Sequence, residues 1–326
     1  MKRIVAILVL LLSATNLAAN DLDTRVTNEL ARLDASLASI DAASLTPDIA
    51  PLVDGSRKLV DRVRATKDPL VRIYRLRDAF INVEALRYVL DHKSASKDLA
   101  QVEALARASR DAIERPLAPM AGPALQLALR QETHNHAQVV HRAAVPYAKV
   151  DAPSSGVYYL GEAEGNRKYR EFVESLPFEK KNEPRPSRAA LEAALRRLDT
   201  AALAAFERDP GGRSAIGMSA RLKEARELFD RGSFEGAALM LVEAQLDISR
   251  KNAAAKVATV PLASAPHADS LSAMLQNIAR EDATNDTAKI VTADMLPLYG
   301  SLYANVVAEK KPPRSVTVTL VRWPYT

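Results

Sequence analysis

The sequence predicts an all-α protein: an antiparallel helical bundle, then a helical-hairpin region of repeat-like character, with one C-terminal β-strand. Glycine is scarce, at 11 of 326 residues, whereas alanine is abundant. Apolar residues recur every three or four positions over long stretches, which is the period of an amphipathic helix. The one clear departure is RSVTVTLVRWPYT near the C-terminus, where apolar and polar residues alternate as they do in a strand.

The first 19 residues have the layout of a cleaved secretory signal. Lys2 and Arg3 are followed by an unbroken apolar run of nine residues, 4–12, and then by mostly small or polar residues. A membrane-spanning helix needs about 20 apolar residues, so this run is too short to be one. We therefore expect cleavage near Ala19 and a periplasmic or secreted chain with no membrane anchor after cleavage. An uncleaved anchor is the alternative.

Composition excludes several kinds of site. With no cysteine, the chain has no disulfide, no thiolate nucleophile, no thiolate-bound metal and no covalently attached haem. The formal net charge of +5 falls to +3 once Lys2 and Arg3 are removed, and acidic and basic residues are interspersed. This pattern argues against a nucleic-acid partner. The phosphate-binding glycine loop, the GxSxG turn and the HExxH motif are missing as well.

Residues 20–176 are predicted to form the antiparallel bundle. Its helices are expected at 22–40, 69–91, 97–114, 121–145 and 157–175. The apolar stripe of the first helix consists of Leu22, Val26, Leu30, Leu33, Leu37 and Ile40. In the last helix, Gly161 and Gly165 lie four residues apart on one face, a spacing that permits close helix approach.

An exposed linker is predicted at 177–187, because this segment is rich in prolines and charges and has no apolar period. The helical-hairpin region follows at 188–308, and a tail at 309–326. Helices of the hairpin region are expected at 188–207, 215–231, 234–250, 269–281 and 286–308. Ser187 precedes the first of them and is a good N-cap residue, because its hydroxyl can accept a hydrogen bond from an orphan backbone N–H.

The tail contains the strand, in which Val316, Val318 and Leu320 alternate with threonines. A lone strand leaves its backbone groups unpaired, so it needs a partner. One candidate is the β-branched segment 255–262, and pairing there would close a clasp over the hairpin region. Trp323 would then bury its ring against the helices. The other candidate is a sheet edge of another protein, which would make the tail a recognition segment.

Three of the five histidines, His134, His136 and His141, fall within eight residues. On a helix, His134 and His141 project about 20° apart but are separated by about 10.5 Å along the axis, too far for one metal ion. His136 points to the other side, into an apolar arc, with Glu132 one turn earlier. The favoured interpretation is a buried hydrogen-bonded pair of Glu132 and His136, joined by Arg87 from the core stripe of its own helix. Metal binding and catalytic use of the pair are the alternatives.

Two helices are predicted on either side of Gly232, in the segment ARLKEARELFDRGSFEGAALMLVEAQLDISR. Small, apolar and aromatic residues recur here at Ala225, Leu228, Phe234, Ala237, Leu241 and Ala244. This pattern, over 215–250, resembles the second half of a tetratricopeptide repeat. In that family small residues let paired helices cross closely, and an aromatic fills the gap at the turn. The resemblance implies binding of a protein or peptide. An ordinary helical hairpin is the alternative, since no second copy is found.

The sequence therefore favours an exported, non-enzymatic protein that binds a protein or peptide partner in the periplasm. The predicted partner contacts are Phe234, Val316, Val318, Leu320 and Trp323. No catalytic residue and no cofactor is predicted. The alternative is a helical bundle that binds a metal or a small ligand, or acts on one, through Glu132, His136 and Arg87.

Overall fold

A computed structural model of the chain describes residues 21–66, 69–178, 186–208, 213–251, 255–261 and 315–321. The described part is mostly helical, which confirms the predicted all-α class. Several predicted features lie outside it: the signal segment 1–19, most of the linker 177–187, the helices at 269–281 and 286–308, and Trp323.

Nine α-helices and two strands lie within the described residues. The helices are α1 (21–38), α2 (Leu52–Ala65), α3 (Pro69–Asp91), α4 (Leu99–Glu114), α5 (Ala124–Val150), α6 (Pro153–Ser175), α7 (Arg188–Arg208), α8 (Arg213–Asp230) and α9 (Phe234–Lys251). The strands are β1 (Ala255–Pro261) and β2 (Ser315–Val321). Short 3-10 turns occur at Ala42–Ser44 and Ala95–Lys97.

Contacts along the chain define two compact units. The first unit comprises Met1–Pro119 and His136–Lys180, and the second comprises Met120–Asn135 and Lys181–Thr326. Helix α5 therefore begins in the second unit and ends in the first. The sequence prediction assigns this whole helix to the N-terminal bundle, because the apolar pattern does not change at residue 135, where the contacts change.

The apolar stripe that the sequence predicts is buried, with five of its residues in α1 and Ile40 just after the helix. Together with residues of α3 they supply much of the core of the first unit. Polar contacts along the two helices join them: Arg72 of α3 pairs with Asp23, and Arg32 of α1 donates to Glu84 at 2.8 Å. The Arg32 guanidinium also lies over the Phe80 ring, 5.1 Å from its centroid. Apolar burial and these contacts together hold α1 against α3.

Helices α3 and α6 run antiparallel and approach closely at Gly161 and Gly165. A Cβ atom on Gly161 would lie 2.8 Å from the Cα of Ala85, and one on Gly165 would lie 3.0 Å from the Cα of Ile81. Farther along, the Tyr169 hydroxyl donates to the Ile73 carbonyl at 2.6 Å. The close helix approach predicted from the glycine spacing is confirmed, and it brings the polar residues of α6 near α3.

Two of the helix boundaries that differ from the sequence prediction lie at prolines. Helix α5 continues past Pro146 to Val150, although a proline in a helix interior removes one backbone hydrogen bond. Pro146 and Arg142, whose carbonyl loses that bond, are both exposed, so water can solvate the carbonyl. Helix α6 begins at Pro153, because proline fits the first turn, where no N–H is needed.

In the second unit, helices α8 and α9 form a closely connected pair. Gly232 ends α8 with a positive φ of 74°, as the sequence predicts. The N–H of Ser233 donates to the Leu228 carbonyl and that of Gly232 donates to the Phe229 carbonyl, which is the hydrogen-bond pattern of a Schellman turn. The core of the pair includes Ala225, Leu228, Ala237, Leu241 and Ala244, all buried. The start of α7 is also as expected, because the Ser187 hydroxyl accepts from the Ala190 N–H at 3.1 Å.

The first turns of α5 pack against the N-terminus of α9 within this same unit. The side-chain oxygen of Gln131 accepts the Gly236 N–H at 2.8 Å, and its amide donates to Glu235 at 3.0 Å. A Cβ on Gly236 would lie 2.9 Å from the Cβ of Gln131. Gln131 therefore caps α9 from another helix, and only a glycine at 236 leaves room for it.

The two strands pair with each other in antiparallel register. Ala255 lies opposite Val321, Ala258 opposite Val318, and Pro261 opposite Ser315. In this ladder Pro261 ends β1, where a missing N–H costs little.

Candidate functional site

Helix α5 carries an unusual number of buried polar side chains for a helix in a protein core. The buried polar residues are Gln126, Arg130, Glu132, Thr133, His134, Asn135, Gln138 and His141. Buried polar groups need hydrogen-bond partners, so a helix of this kind is expected to form polar networks. Thr133 has a local partner, because its hydroxyl donates to the Leu129 carbonyl at 2.6 Å. Gln138 has a partner on another helix, because its side-chain amide donates to the Ile113 carbonyl of α4.

The three histidines of α5 have separate environments. The Nε2 atom of His141 lies 3.0 Å from both the Ala106 carbonyl oxygen and the Ser109 hydroxyl of α4. Burial lowers the pKa of His141, so the neutral imidazole is favoured. His134 is buried as well, whereas His136 is only partly buried. Among the described residues, no three histidine, aspartate or glutamate side chains come together as a metal cluster.

His136, which is predicted to form a buried hydrogen-bonded pair with Glu132, is only partly buried. The apolar arc of α5 does not define its burial, because His134 and His141, outside that arc, are more deeply buried than His136. Glu132 is buried as predicted, one turn before His136 on the same continuous helix.

The prediction for Arg87 is wrong. Its side chain is 45% exposed, and its nearest recorded ionic partner is Glu84, one turn back on α3, at 3.6 Å. By helical period Arg87 falls on the stripe of Ile73, Leu76 and Phe80. A long arginine side chain can nevertheless extend along the surface and keep its charge in water. Arg87 thus lies at the surface beside Glu84 and is not a core partner of the polar residues on α5.

Glu84 is the centre of a charge cluster that the sequence did not indicate. Its side chain is 2% exposed and accepts hydrogen bonds from Arg32 at 2.8 Å and from Lys168 at 2.7 Å. Burial raises the pKa of Glu84, but the hydrogen bonds from Lys168 and Arg32 outweigh it, and the pKa lies below its usual value. Because each carboxylate oxygen already has a cationic partner, this cluster stabilises the packing of α1, α3 and α6.

A second polar group on α6 has a different character. Glu162 is partly buried, and burial raises the pKa of its carboxyl to about 7, against a smaller attraction to His136 of α5. One turn later, the side-chain amide of Asn166 donates to the Glu162 backbone carbonyl at 2.9 Å. The Oδ1 atom of Asn166 is fully buried and has no hydrogen-bond partner among the described residues. Glu162 and Asn166, one turn apart on α6, form the candidate site in the first unit.

No pattern in the sequence predicts a role for Glu162 or Asn166. They lie 40° apart by helical period, between the glycine face that meets α3 and the face of Ala163 that packs with Ala137 and Val140 of α5. The glycine pair at 161 and 165 was the available signal. It predicts that this side of α6 faces a neighbouring helix, and the residue directly after each glycine lies next to that side and is a candidate for burial.

The predicted partner contacts fall in three places. Phe234 is partly buried and packs on Phe229, with ring centroids 5.7 Å apart. This contact lies at the turn between α8 and α9 and helps to stabilise it. Val316, Val318 and Leu320 lie in β2. Trp323 lies outside the described residues.

None of the helices in the described part of the chain combines the length and the apolar composition needed to span a bilayer. Comparisons of the chain with protein-family models, with curated proteins and with solved structures found no match.

Proposed function

We propose that this is an exported, non-enzymatic helical protein that binds a protein or peptide partner in the periplasm through its helical-hairpin region. The observation that carries the proposal is the helix pair α8–α9. Its small residues Ala225, Ala237 and Ala244 are buried, and its turn is built on Gly232 and the rings of Phe229 and Phe234. These are the positions on which the resemblance to a tetratricopeptide repeat rests.

The geometry supports a binding role more directly than a catalytic one. Helix α9 is buried over residues 235–241. Leu203 of α7 is 58% exposed, which is unusual for a leucine in a helix that otherwise buries Leu191, Leu195 and Leu198. A single exposed apolar side chain is a weak signal alone, but it marks the place where a partner would gain most from burial.

Photo-crosslinking tests the proposal at this place. A photo-crosslinking residue in place of Leu203 in the tagged full chain is expected to give a discrete adduct with one periplasmic protein or peptide. The matched control carries the same residue in place of Lys58, which is exposed on α2 in the first unit. Adducts are separated by gel electrophoresis and identified by mass spectrometry.

Three results count against the proposal. Illumination that yields no adduct from either position argues against a partner, and equal adducts from both positions argue against the hairpin region as its site. Failure to recover the tagged chain in the periplasmic fraction contradicts export.

For the C-terminal tail, the proposal favours the clasp. Pairing of β2 with β1 within the chain supports this choice over a recognition tail that pairs with another protein. The clasp pairs the facing backbone groups of the two strands.

Deletion of residues 314–326 separates the clasp from the recognition tail. The clasp predicts a lower melting temperature after deletion, because β1 loses its partner, and a blue-shifted emission of Trp323 in the intact monomer, because its ring is buried. Differential scanning fluorimetry and tryptophan emission spectra provide the two measurements. Unchanged stability together with water-like emission would show that the tail does not act as a clasp.

A further inference from the structure

Two tyrosine rings form a stack where the C-terminal end of α5 meets the N-terminal end of α6. The ring centroids of Tyr147 and Tyr159 lie 4.6 Å apart, and the ring planes are inclined by only 18°. Offset-stacked aromatic pairs in proteins occupy this range of distance. Both residues belong to the first unit, Tyr147 in the last turn of α5 and Tyr159 in the second turn of α6. The stack therefore joins the two helices across the short connection between them.

The two rings differ in their surroundings. Tyr159 is partly buried and packs against an apolar cluster that includes Ala137 and Ala163, which holds its ring in place. Tyr147 is 46% exposed, so solvent and small solutes reach its ring. Burial raises the pKa of Tyr159 to about 12, and the neighbouring Tyr147 adds to this effect through a hydrogen bond between the side chains. The hydroxyl ends of the two rings therefore lie together.

We propose that Tyr147 and Tyr159 are a site of oxidative cross-linking, at which the two rings join as dityrosine. The carbon atoms that couple are those next to each hydroxyl group, and in a stack whose hydroxyl ends lie together these positions are neighbours. Because the fold holds the two rings side by side, their coupling is strongly favoured over a reaction between separate molecules. The exposed ring of Tyr147 has room to turn as the new bond forms.

The coupling needs an oxidant, and a haem peroxidase with hydrogen peroxide is the class that supplies it. Each phenol loses one electron and its hydroxyl proton and becomes a phenoxyl radical. The two radicals form one carbon–carbon bond, and the hydrogens on the bonded carbons then move to the oxygens as the rings regain aromaticity. Hydrogen peroxide takes up the two electrons and the two protons and is reduced to two molecules of water.

A cross-link at this position has a structural consequence. The chain contains no cysteine, so no disulfide joins its helices. A bond between Tyr147 and Tyr159 closes a short loop and removes conformations from the unfolded chain, as a disulfide does. We therefore expect the cross-linked protein to melt at a higher temperature than the untreated protein. This inference goes beyond the proposed binding of a partner and does not depend on it.

Treatment of the purified full chain with a haem peroxidase and hydrogen peroxide tests the site. Trypsin, which cuts after lysine and arginine, separates Tyr147 in peptide 143–149 from Tyr159 in peptide 150–167. In the treated wild type we expect the two peptides as one species, lighter than their sum by two hydrogen atoms and with the blue fluorescence of dityrosine. Tyr147→Phe and Tyr159→Phe are each expected to abolish this species, because phenylalanine has no hydroxyl group to oxidise.

Tyr158→Phe is the matched control, because Tyr158 lies in the same peptide but is buried, and its hydroxyl donates to Asn82 Oδ1 at 2.8 Å. This variant is expected to form the cross-link as the wild type does. The proposal is overturned if the treated wild type has no such species, if its dityrosine joins only other tyrosines or separate chains, or if the species persists in Tyr159→Phe. Differential scanning fluorimetry of the cross-linked monomer tests the structural consequence, which an unchanged melting temperature would contradict.

Discussion

Replacing Gly161 with alanine is expected to lower the free energy of unfolding by about 3 kcal/mol, since overpacking of a close contact forces the backbone apart. The new methyl group would lie 2.8 Å from the Cα of Ala85 and 2.9 Å from its carbonyl oxygen. These are backbone atoms, so no side-chain rotation relieves the clash. Gly165→Ala is expected to cost less, because its nearest atoms lie at 3.0 Å. Urea unfolding followed by circular dichroism measures both changes.

Gly55→Ala is the matched control for these variants. Gly55 lies inside α2, is exposed, and a Cβ there would meet nothing within 4 Å. Alanine is about 1 kcal/mol more favourable than glycine in a helix interior, so this variant is expected to be more stable than the wild type. If Gly161→Ala were as stable as Gly55→Ala, the close approach of α3 and α6 would be contradicted.

Replacing Glu162 with glutamine is expected to stabilise the protein at pH 8 by up to about 3 kcal/mol. Burial raises the pKa of Glu162 to about 7, from a usual value of 4.5. Between these values the folded state binds more protons than the unfolded state, so wild-type stability falls as the pH rises from about 4.5 through 7. Glutamine has no charge to desolvate, and its advantage is expected to vanish near pH 4.

Chemical denaturation of both proteins at pH 4 and at pH 8 measures this difference. Glu171→Gln is the control, because its carboxylate is exposed and pairs with Arg167 at the surface. That control is expected to change stability by only a few tenths of a kcal/mol at either pH. A variant Glu162→Gln that is less stable than the wild type at pH 8 would show that the ionised carboxylate makes a stabilising contact.

Apolar period and local turn chemistry were sufficient to predict most helices of the described part of the chain. The stripe of α1, the turn at Gly232 and the cap at Ser187 depend on contacts within one or two turns of the chain. The same holds for α3, whose predicted bounds, 69–91, are those of the structure. Such features are determined by nearby residues, and therefore a single sequence contains them.

The candidate site was not predictable in the same way. Arg87 follows the apolar period of α3 but is exposed, and His134 departs from the apolar arc of α5 but is buried. In both cases the burial depends on which helices surround the residue. The apolar period of one helix does not reveal which helices those are. Glu162 and Asn166 are similar, because their burial follows from the packing of α6 between α3 and α5.

The spacing of the paired elements also has a consequence for the order of folding. Helices α8 and α9 are joined by three residues, whereas residues 262–314 separate β1 from β2. Closing a longer loop costs more chain entropy, so contacts that are local in sequence form sooner. We expect the helix pair to assemble early and the strand ladder late, and the ladder to open first in mild denaturant. Until it closes, both edges of each strand are unpaired, and this is the stage at which the protein is most open to self-association.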